Sequence, residues 1–442
     1  MRVLRVLGLN HRTAPIQIRE RFHLAERPLG ALVHQLTRAA PIDECVVLTT
    51  CNRTEYYFAS TRPDEAETEV LRRMAGEARL TSEETRSYLY RHSGFDAVVH
   101  LYRVTAGLDS LVIGEPQIQG QVGDAYEEGR GRVPGSIGPV LHRLFQSALA
   151  TGGRVRADTA ISRGSVSVPS AALALARKVY GDLAERSALV LGTGEMGELT
   201  ARVLVGDGAS PVWVASRDPD RATELAERVG VRPLGMDDVD RRLAEVDVLV
   251  ASTAAMVPVV TAEKLRRLRA GSGQLVVLDI ALPRNVEPEA AALDGVFLYN
   301  VDDLQRVVGT AQQARAEEVS QAEEIVHGHA DRYWRWYGDR GAAPLIRELR
   351  EAAEEVRRTA LVEALAARAE LTAEQRRDID MASRTTLNKI LHIPTRALSL
   401  IAQAPEGDDT MAAIRRVLAR RDADRPGGRR VSEGDAKVGD GR

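Results

Sequence analysis

The stretch VLGTGEMGELTARVLVGDG, residues 190–208, carries three closely spaced glycines between an apolar run and a helical pattern. Glycines at this spacing permit a tight strand-to-helix turn, and the N-terminus of the helix that follows faces the pyrophosphate of a dinucleotide. The alternative is a turn of the same kind without a ligand. Because a strand pattern precedes the glycines and a helix pattern follows them, the stretch favours a bound dinucleotide. The predicted contacts are Gly192, Thr193, Gly194, Glu195, Met196 and Gly197.

Short runs rich in β-branched residues alternate with helical segments around this turn. The runs are ALVLG, PVWVASR, DVLVAST, QLVVLDI and GVFLYN, between residues 188 and 300. Strands that alternate with helices predict a doubly wound parallel sheet of the Rossmann type.

The second of these runs ends in VASRDPDRA and bears on the choice of cofactor. An NAD site places an acidic residue there to accept the ribose hydroxyls, whereas Ser216 and Arg217 supply a hydroxyl and a cation. The alternative for Arg217 is an ordinary solvated arginine. A hydroxyl beside a cation suits a 2′-phosphate, so the sequence favours NADPH over NADH.

The first 92 residues predict a separate antiparallel sheet. Their patterns follow the order βαββαβ, which is typical of a ferredoxin-like α+β domain. The predicted elements are a strand over 2–10, a helix over 28–40, a hairpin over 44–51 and 54–60, a helix over 64–78 and a strand over 87–92.

The predicted hairpin, within VVLTTCNRTEYYFAS at residues 46–60, places Cys51 at its tip beside Arg53. A cysteine becomes a nucleophile when its thiolate is stabilised, and a neighbouring cation does this. The other cysteine, Cys45, stands six positions earlier in an extended strand, too far away for a disulfide. Two free thiols indicate a reducing compartment, and we expect a cytoplasmic protein.

Composition excludes several classes of protein. The 442 residues carry a formal net charge of −3, so no global basic field indicates nucleic-acid binding. No apolar stretch approaches the ~20 residues of a membrane span. With two cysteines and no clustered histidines or carboxylates, no metal site is expected.

The C-terminal third is predicted to be helical. Residues 301–338 form one long polar-rich pattern, and helical periodicity resumes with Leu345, Leu349, Ala352 and Val356 at near-heptad spacing. Such a stripe packs against another helix, and periodicity leaves open whether that helix belongs to a second chain or to an internal bundle. Residues 421–442 lack the apolar residues of a core and are expected to be a disordered tail.

A reactive thiol and a nicotinamide site together suggest reduction of an acyl group through a thioester. Six motifs extend this inference, because in order along the chain they resemble the glutamyl-tRNA reductase family. They are GLNHRTAP at 8–15, TTCNRTEYY at 49–57, HLYRVTAGLDSLVIGEPQIQGQV at 100–122, ISRGSVSV at 161–168, LGTGEMGEL at 191–199 and LHIPT at 391–395.

The resemblance implies NADPH-dependent reduction of glutamyl-tRNA(Glu) to glutamate-1-semialdehyde, the first committed step of five-carbon tetrapyrrole biosynthesis. It implies that Cys51 is the nucleophile and that His100 is the general base or another catalytically important histidine. The family's substrate-binding pattern falls on Thr50, Asn52, Arg53, Ser110, Glu115, Pro116, Gln117 and Gln121. Arg53 would then form a bidentate pair with the substrate carboxylate.

The resemblance also implies a multidomain α/β homodimer with a long spinal helix and an α-helical dimerisation domain. We expect a catalytic domain over 1–160, an NADPH-binding domain over 161–300 and helical regions over 301–420. Glutamate-1-semialdehyde aminomutase is a candidate partner. Two rivals remain: a shikimate-type dehydrogenase that needs no thiol, and a non-catalytic tRNA-binding scaffold.

Overall fold

The chain forms two compact units in the computed structural model, one spanning residues 2–333 and the other beginning at residue 334. The expected tail, 421–442, and residues 305–315 of the predicted spinal helix lie outside the described residues. The structure describes residues 2–24, 29–39, 41–132, 135–162, 168–304, 316–366, 368, 370–404, 410–411, 413–414 and 417.

Four strands near the N-terminus form an antiparallel sheet in the order β2-β3-β1-β4. The strands are β1 Val3–Asn10, β2 Glu44–Thr49, β3 Arg53–Ser60 and β4 Tyr90–Ser93. The connecting helices are α1 Ile16–Phe22, α2 Leu29–Ala39, α3 Pro63–Ala78 and α4 Ser82–Tyr88. This strand order confirms the ferredoxin-like prediction.

The last predicted strand of this sheet, 87–92, is wrong at its start. Thr81 and Glu84 form a capping box, which begins a helix that runs through Tyr88. A capping box satisfies two backbone N–H groups at the start of a helix, so it competes well with a strand pattern of only a few residues. The strand itself begins at Tyr90.

Three helices follow the antiparallel sheet: α5 Phe95–Thr105, α6 Gln117–Arg132 and α7 Pro139–Asp158. β3 is buried along its whole length. Its Phe58 belongs to a core with Leu36 and Val70, whereas the neighbouring Tyr57 meets Phe145 of α7 edge to face, with ring centroids 5.5 Å apart. Side chains that alternate along a strand face opposite sides of the sheet, so β3 has protein on both faces.

The second sheet is parallel throughout, in the order β10-β9-β8-β5-β6-β7, which confirms the Rossmann-type prediction. Its strands are β5 Ala188–Leu191, β6 Val212–Ala215, β7 Arg232–Leu234, β8 Val248–Ala251, β9 Leu275–Asp279 and β10 Val296–Asn300. Its helices are α8 Val168–Tyr180, α9 Glu195–Gly206, α10 Pro219–Val229, α11 Val239–Leu243 and α12 Ala262–Leu268.

The strand order of this sheet reverses between β5 and β8. A crevice opens at such a switch point, beyond the carboxyl ends of the strands, and ligands of doubly wound sheets bind there. One strand of this sheet, β7, was not predicted from the sequence; it is a three-residue edge strand that contains Pro233. Proline is tolerated at an edge, but it weakens the pattern by which a strand is recognised.

Two long helices dominate the rest of the chain: α13 Ala316–Ala366 and α14 Ala373–Gln403. The first of them was predicted to end near residue 338. In the structure α13 continues to Ala366, has 51 residues in all and contains Pro344. At ~1.5 Å per residue, α13 is about 75 Å long.

The predicted apolar stripe of α13 does not form one surface. Leu345 is buried against Leu398 and Ala402 of α14, as an internal bundle requires. Val356 is 53% exposed in this chain. The first part of the stripe therefore belongs to the unit's own core, and the later part remains available to another surface.

Among the described helices, none combines the length and the apolar character needed to cross a bilayer.

Candidate active site

The turn between β2 and β3 presents Cys51. Thr50 organises this turn: its hydroxyl oxygen accepts hydrogen bonds from the backbone N–H groups of Asn52 at 3.1 Å and Arg53 at 3.3 Å. The Thr50 N–H donates to the Arg53 carbonyl oxygen at 2.9 Å. A threonine that satisfies the turn's own backbone in this way leaves the next side chain free to project. Cys51 is half-buried, and both cysteines are free thiols.

Cys51 opens into a cavity of about 190 Å³ that lies between the two sheets' domains. Of the predicted substrate-binding residues, all except Pro116 line it. The lining residues of the first domain are Thr50, Cys51, Asn52, Arg53, Ser110, Leu111, Glu115, Gln117, Ile118 and Gln121. Those of the second are Val168, Met196, Ile280 and Val301. Because Met196 lies within the glycine motif, at the start of α9, the cavity joins the thiol to the predicted cofactor site.

Arg53 is buried and held by carboxylates of the protein itself. Its Nη1 donates to Glu55 at 2.7 Å, and its Nη2 donates to the Asp109 carbonyl oxygen at 2.6 Å and to the Asp109 carboxylate at 3.0 Å. A guanidinium has five N–H donors, and these contacts use three. Arg53 is therefore fixed in place, with its charge shared by two acidic residues.

Glu55 connects Arg53 to His100. The Nε2 of His100 lies 2.8 Å from Glu55, and the hydroxyls of Tyr57, at 2.6 Å, and Tyr90 also donate to this carboxylate. Burial alone would raise the pKa of Glu55, but Arg53 and His100 together hold it well below its usual range. Glu55 is thus ionised, and it holds both the guanidinium of Arg53 and the imidazole of His100.

His100 lines a different cavity from Cys51. This second cavity, of about 500 Å³, is bordered by Asn10, Arg12, Thr13, Tyr90, His92, Asp96, Val99, His100, Arg103 and Asp109. The His100 ring stacks on His92 with centroids 4.6 Å apart. The structure connects His100 to the thiol cavity through Glu55 and Arg53, and its role as general base stays a prediction.

The charges around Cys51 oppose one another. Burial raises the pKa of the thiol to about 11, the Glu115 carboxylate adds to the rise, and Arg19 and Arg53 act against it. The predicted influence of Arg53 thus has the expected sign, but burial outweighs it. Burial also raises the pKa of Glu115, to about 7, with a further contribution from Glu195 and opposition from Arg53. At neutral pH the thiol is protonated and Glu115 is near its midpoint.

Arg19 was not predicted from the sequence. It lies on α1, is 2% exposed, and its Nη1 donates to the Cys51 carbonyl oxygen at 3.0 Å and to the Asn52 side chain at 3.1 Å. An arginine in the charged run IQIRERF resembles a solvated residue. The available signal was spacing: Ile16, Arg19 and Phe22 share the buried face of α1.

The three glycines of the cofactor turn have different roles. Gly192 has a φ of +108°, and a Cβ there would lie 2.5 Å from the Ser252 carbonyl oxygen. A Cβ on Gly197 would lie 2.3 Å from the Gly192 carbonyl oxygen. A Cβ on Gly194, at the N-terminus of α9, meets nothing within 4 Å. The outer glycines serve the protein's own packing, whereas Gly194 faces the open space in which a pyrophosphate would bind.

The end of β6 supplies the groups predicted for a 2′-phosphate. Ser216 is half-buried, and its hydroxyl oxygen accepts from Thr193 at 3.4 Å and from the Asp218 N–H at 3.3 Å. Arg217 is exposed. The carboxylate of Asp218 caps α10, accepting the N–H groups of Asp220 and Arg221. The acidic residue nearest the strand end is therefore occupied, and the glycine turn fits a nicotinamide dinucleotide.

Within the part of the chain that the structure describes, no three His, Cys, Asp or Glu side chains are grouped so that they could hold a metal ion.

Three family models match successive parts of the chain. Residues 7–159 match the N-terminal domain of glutamyl-tRNAGlu reductase, and residues 321–420 match its dimerisation domain. Residues 174–307 match shikimate/quinate 5-dehydrogenase, so the parallel-sheet domain is of the nicotinamide-dependent type.

Full-length relatives agree with these matches. The glutamyl-tRNA reductase of Syntrophotalea carbinolica is 37% identical over 415 residues, which cover 93% of each chain. That of Alkalilimnicola ehrlichii is 41% identical over 417 residues, 93% of this chain and 91% of the relative. A solved structure of glutamyl-tRNA reductase from Methanopyrus kandleri covers 95% of this chain and 99% of its own, with 27% identity and a TM-score of 0.49. The two relatives at 37% and 41% identity, each matched over more than nine-tenths of both chains, show that the chain belongs to the glutamyl-tRNA reductase family.

Proposed function

We propose that this protein uses NADPH to reduce the glutamate of glutamyl-tRNA(Glu) to glutamate-1-semialdehyde, through a thioester on Cys51. The observation that carries the proposal is the shared cavity. It places a free thiol, a set of polar side chains and Met196 of the cofactor turn around one space of about 190 Å³. Reaction of an acyl group with a thiol and then with a hydride donor requires such an arrangement.

The first step is attack by Cys51 sulfur on the ester carbonyl carbon. The C–S bond forms, the bond to the tRNA ribose oxygen breaks, and the thiol proton ends on the leaving hydroxyl. Glu115 is suited to pair with the α-ammonium group of the glutamyl residue. That pairing would offset the negative charge that raises the pKa of Cys51, so binding of the correct substrate would itself favour the thiolate.

Bound NADPH supplies the hydride that reduces the thioester carbon. The helix N-terminus at Gly194 and Glu195 would hold its pyrophosphate, and Ser216 and Arg217 would hold the 2′-phosphate. Met196, Ile280 and Val301 line the cavity with apolar surface, which excludes water from the thioester. After hydride transfer the resulting thiohemiacetal collapses, which releases the aldehyde and restores the thiol.

We further propose the domain boundaries 1–160, 161–300 and 301–420, a homodimer and a cytoplasmic location. The three family matches support the boundaries, and the dimerisation-domain match supports the homodimer. The two free cysteines support a reducing compartment. Transfer of the aldehyde to glutamate-1-semialdehyde aminomutase stays a prediction.

The test is cofactor oxidation followed by absorbance. Purified protein should oxidise NADPH when charged glutamyl-tRNA is added, and should do so poorly with NADH. Cys51→Ala should lose at least 99% of this activity because the attacking atom is gone. Cys45→Ala is the matched control: this buried cysteine lies on β2, and its loss should leave most of the activity.

Two results would overturn the proposal. Activity of more than a few per cent in Cys51→Ala would exclude the thioester route. Oxidation of shikimate or quinate without tRNA would instead favour the shikimate-type dehydrogenase, which the match of residues 174–307 keeps as the second candidate.

A further inference from the structure

Helix α1 connects the thiol turn to the nicotinamide domain. Arg19 of α1 donates from Nη1 to the Cys51 carbonyl oxygen at 3.0 Å and to the Asn52 side chain at 3.1 Å. Its Nη2 donates to the carboxylate of Asp302. Asp302 lies two residues beyond the end of β10, next to Val301. Asp302 also accepts the backbone N–H of Ile16 at 3.1 Å. One buried guanidinium therefore binds both the residue that carries the thiol and the end of the second sheet.

The next residue of α1 makes a second link between the same domains. The Glu20 carboxylate accepts from the backbone N–H of Arg284 at 2.7 Å and from its Nε and Nη2, both at 2.8 Å. Arg284 lies in the loop after β9. A bidentate ion pair with an added backbone hydrogen bond is geometrically specific. Arg19 and Glu20 thus fix the nicotinamide domain at two points, but only Arg19 also contacts the thiol turn.

The charge of Arg19 acts on the sulfur as well as on the backbone. The charged groups that face Cys51 are Arg19 and Arg53, which lower the pKa of the thiol, and Glu115, which raises it. Arg53 is held by Glu55 and Asp109 of its own domain. The carboxylate partner of Arg19 is Asp302, which lies just beyond the proposed boundary at 300, in a segment whose Val301 and Leu304 pack in the core of the nicotinamide domain. Arg19 is therefore the cation near the thiol whose position depends on how the nicotinamide domain is docked.

We propose that Arg19 is a positioning residue that holds the Cys51 turn in its reactive geometry and couples that geometry to docking of the nicotinamide domain through Asp302. The proposal rests on the proposed function. When the domain is docked, Asp302 orients the guanidinium so that it holds the Cys51 carbonyl. A docked domain also shields the thioester from water, which would otherwise add to the acyl carbon, break the C–S bond and release free glutamate.

The first experiment measures the thiol directly and needs no substrate. In a Cys45→Ala background Cys51 is the sole cysteine, and below its pKa the rate of alkylation by iodoacetamide is proportional to the thiolate fraction. Arg19→Gln should slow alkylation between pH 8 and 9 by about tenfold, which corresponds to a rise of about one pKa unit. Arg19→Lys keeps the charge and should recover part of the rate.

The matched control for alkylation is Arg21→Gln. Arg21 lies two positions further along α1, and it donates to the carbonyl oxygens of Ala78 and Arg79, away from the thiol. Its variant should keep the wild-type pH profile. An Arg19→Gln protein that keeps the circular dichroism spectrum and the alkylation profile of the wild type would overturn the proposal.

The second experiment measures coupling between the domains, with glutamyl-tRNA and NADPH present. Asp302→Asn should raise the ratio of free glutamate to aldehyde at least fivefold, because the thioester forms while the hydride donor is poorly docked. Glu20→Gln removes the other link and should also raise this ratio, but it should slow alkylation less than Arg19→Gln does, because Glu20 does not contact the thiol turn.

The outcomes separate this inference from the proposed function. Wild-type protein that fails to discharge glutamyl-tRNA would reject the proposed function, while the alkylation comparison would still decide the effect of Arg19 on the thiol. If the wild-type protein is active but Asp302→Asn leaves the product ratio unchanged, only the coupling through Asp302 is rejected and the proposed function stands.

Discussion

Glu115 and Arg19 act on the same sulfur with opposite signs, so the thiol can be adjusted in either direction by a single substitution. Glu115→Gln should lower the pKa of Cys51, because the carboxylate that raises it is removed. In the Cys45→Ala background, alkylation at pH 8.5 should become several times faster. Since the pKa of Glu115 is about 7, the gain should be full above that pH and disappear below it, where the wild-type carboxyl is already neutral.

The control for this prediction is Glu127→Gln. Glu127 is an exposed carboxylate on α6 that pairs with Arg130, outside the cavity lining. Its loss should not change the alkylation rate. A Glu115→Gln protein that is alkylated more slowly than the wild type would show that the carboxylate assists ionisation instead of opposing it. The same variant should have a higher KM for glutamyl-tRNA because the substrate ammonium group has lost its partner.

At the scale of elements, two glycines of the turn from β5 to α9 have different roles: the fold requires Gly197, and the cofactor requires Gly194. Gly194→Val should fold normally, since its side chain enters open space, and should weaken NADPH binding more than tenfold by occupying the pyrophosphate position. Discharge of glutamyl-tRNA without NADPH should persist, because acylation needs only the thiol cavity. Cofactor fluorescence and acid-gel analysis of labelled glutamyl-tRNA measure the two effects.

Gly197→Val is the comparison for this turn. The added Cβ would lie 2.3 Å from a backbone oxygen, so the variant should lose ~1–3 kcal/mol of stability and unfold at a lower temperature. A Gly194→Val protein that binds NADPH as tightly as the wild type would place the pyrophosphate elsewhere.

The sequence predicted elements well where a local pattern decides them. The glycine turn, five of the six described strands of the parallel sheet and the Cys51 hairpin all follow from residue types at fixed spacing. Arg19 was missed because its role depends on Asp302, which is 283 positions away in the chain. Glu55 was missed for the same reason: Arg53 is its neighbour on β3, but His100 is 45 positions away on α5, and only the fold brings it to the carboxylate.

At the scale of the whole molecule, the helical unit presents apolar side chains to its surroundings. Ile393 is 75% exposed and Ile390 63% exposed on α14, and the dimerisation-domain match covers both. Ile393→Asp should convert the dimer to a monomer in sedimentation at micromolar concentration, because a carboxylate at a packed interface has no partner. Val257→Asp is the control, since this 68% exposed valine lies outside the helical unit.

An unchanged sedimentation coefficient for Ile393→Asp, with full helicity by circular dichroism, would exclude this face of α14 as the interface. Periodicity could not decide this question beforehand, because Leu345 and Val356 carry the same heptad signal. Only the position of α14 shows that Leu345 is internal and that Val356 is exposed.

The protonated state of the half-buried Cys51 thiol also has a consequence for survival of the enzyme under oxidative stress. Desolvation raises the pKa of Cys51 to about 11, so the sulfur is protonated at pH 7. Peroxides react with the thiolate and convert it stepwise to sulfenic and then irreversible sulfinic acid. An enzyme whose sulfur remains protonated between turnovers is therefore a poor target for peroxide. During turnover the acyl group itself covers the sulfur, and a thioester has no thiolate that a peroxide could oxidise.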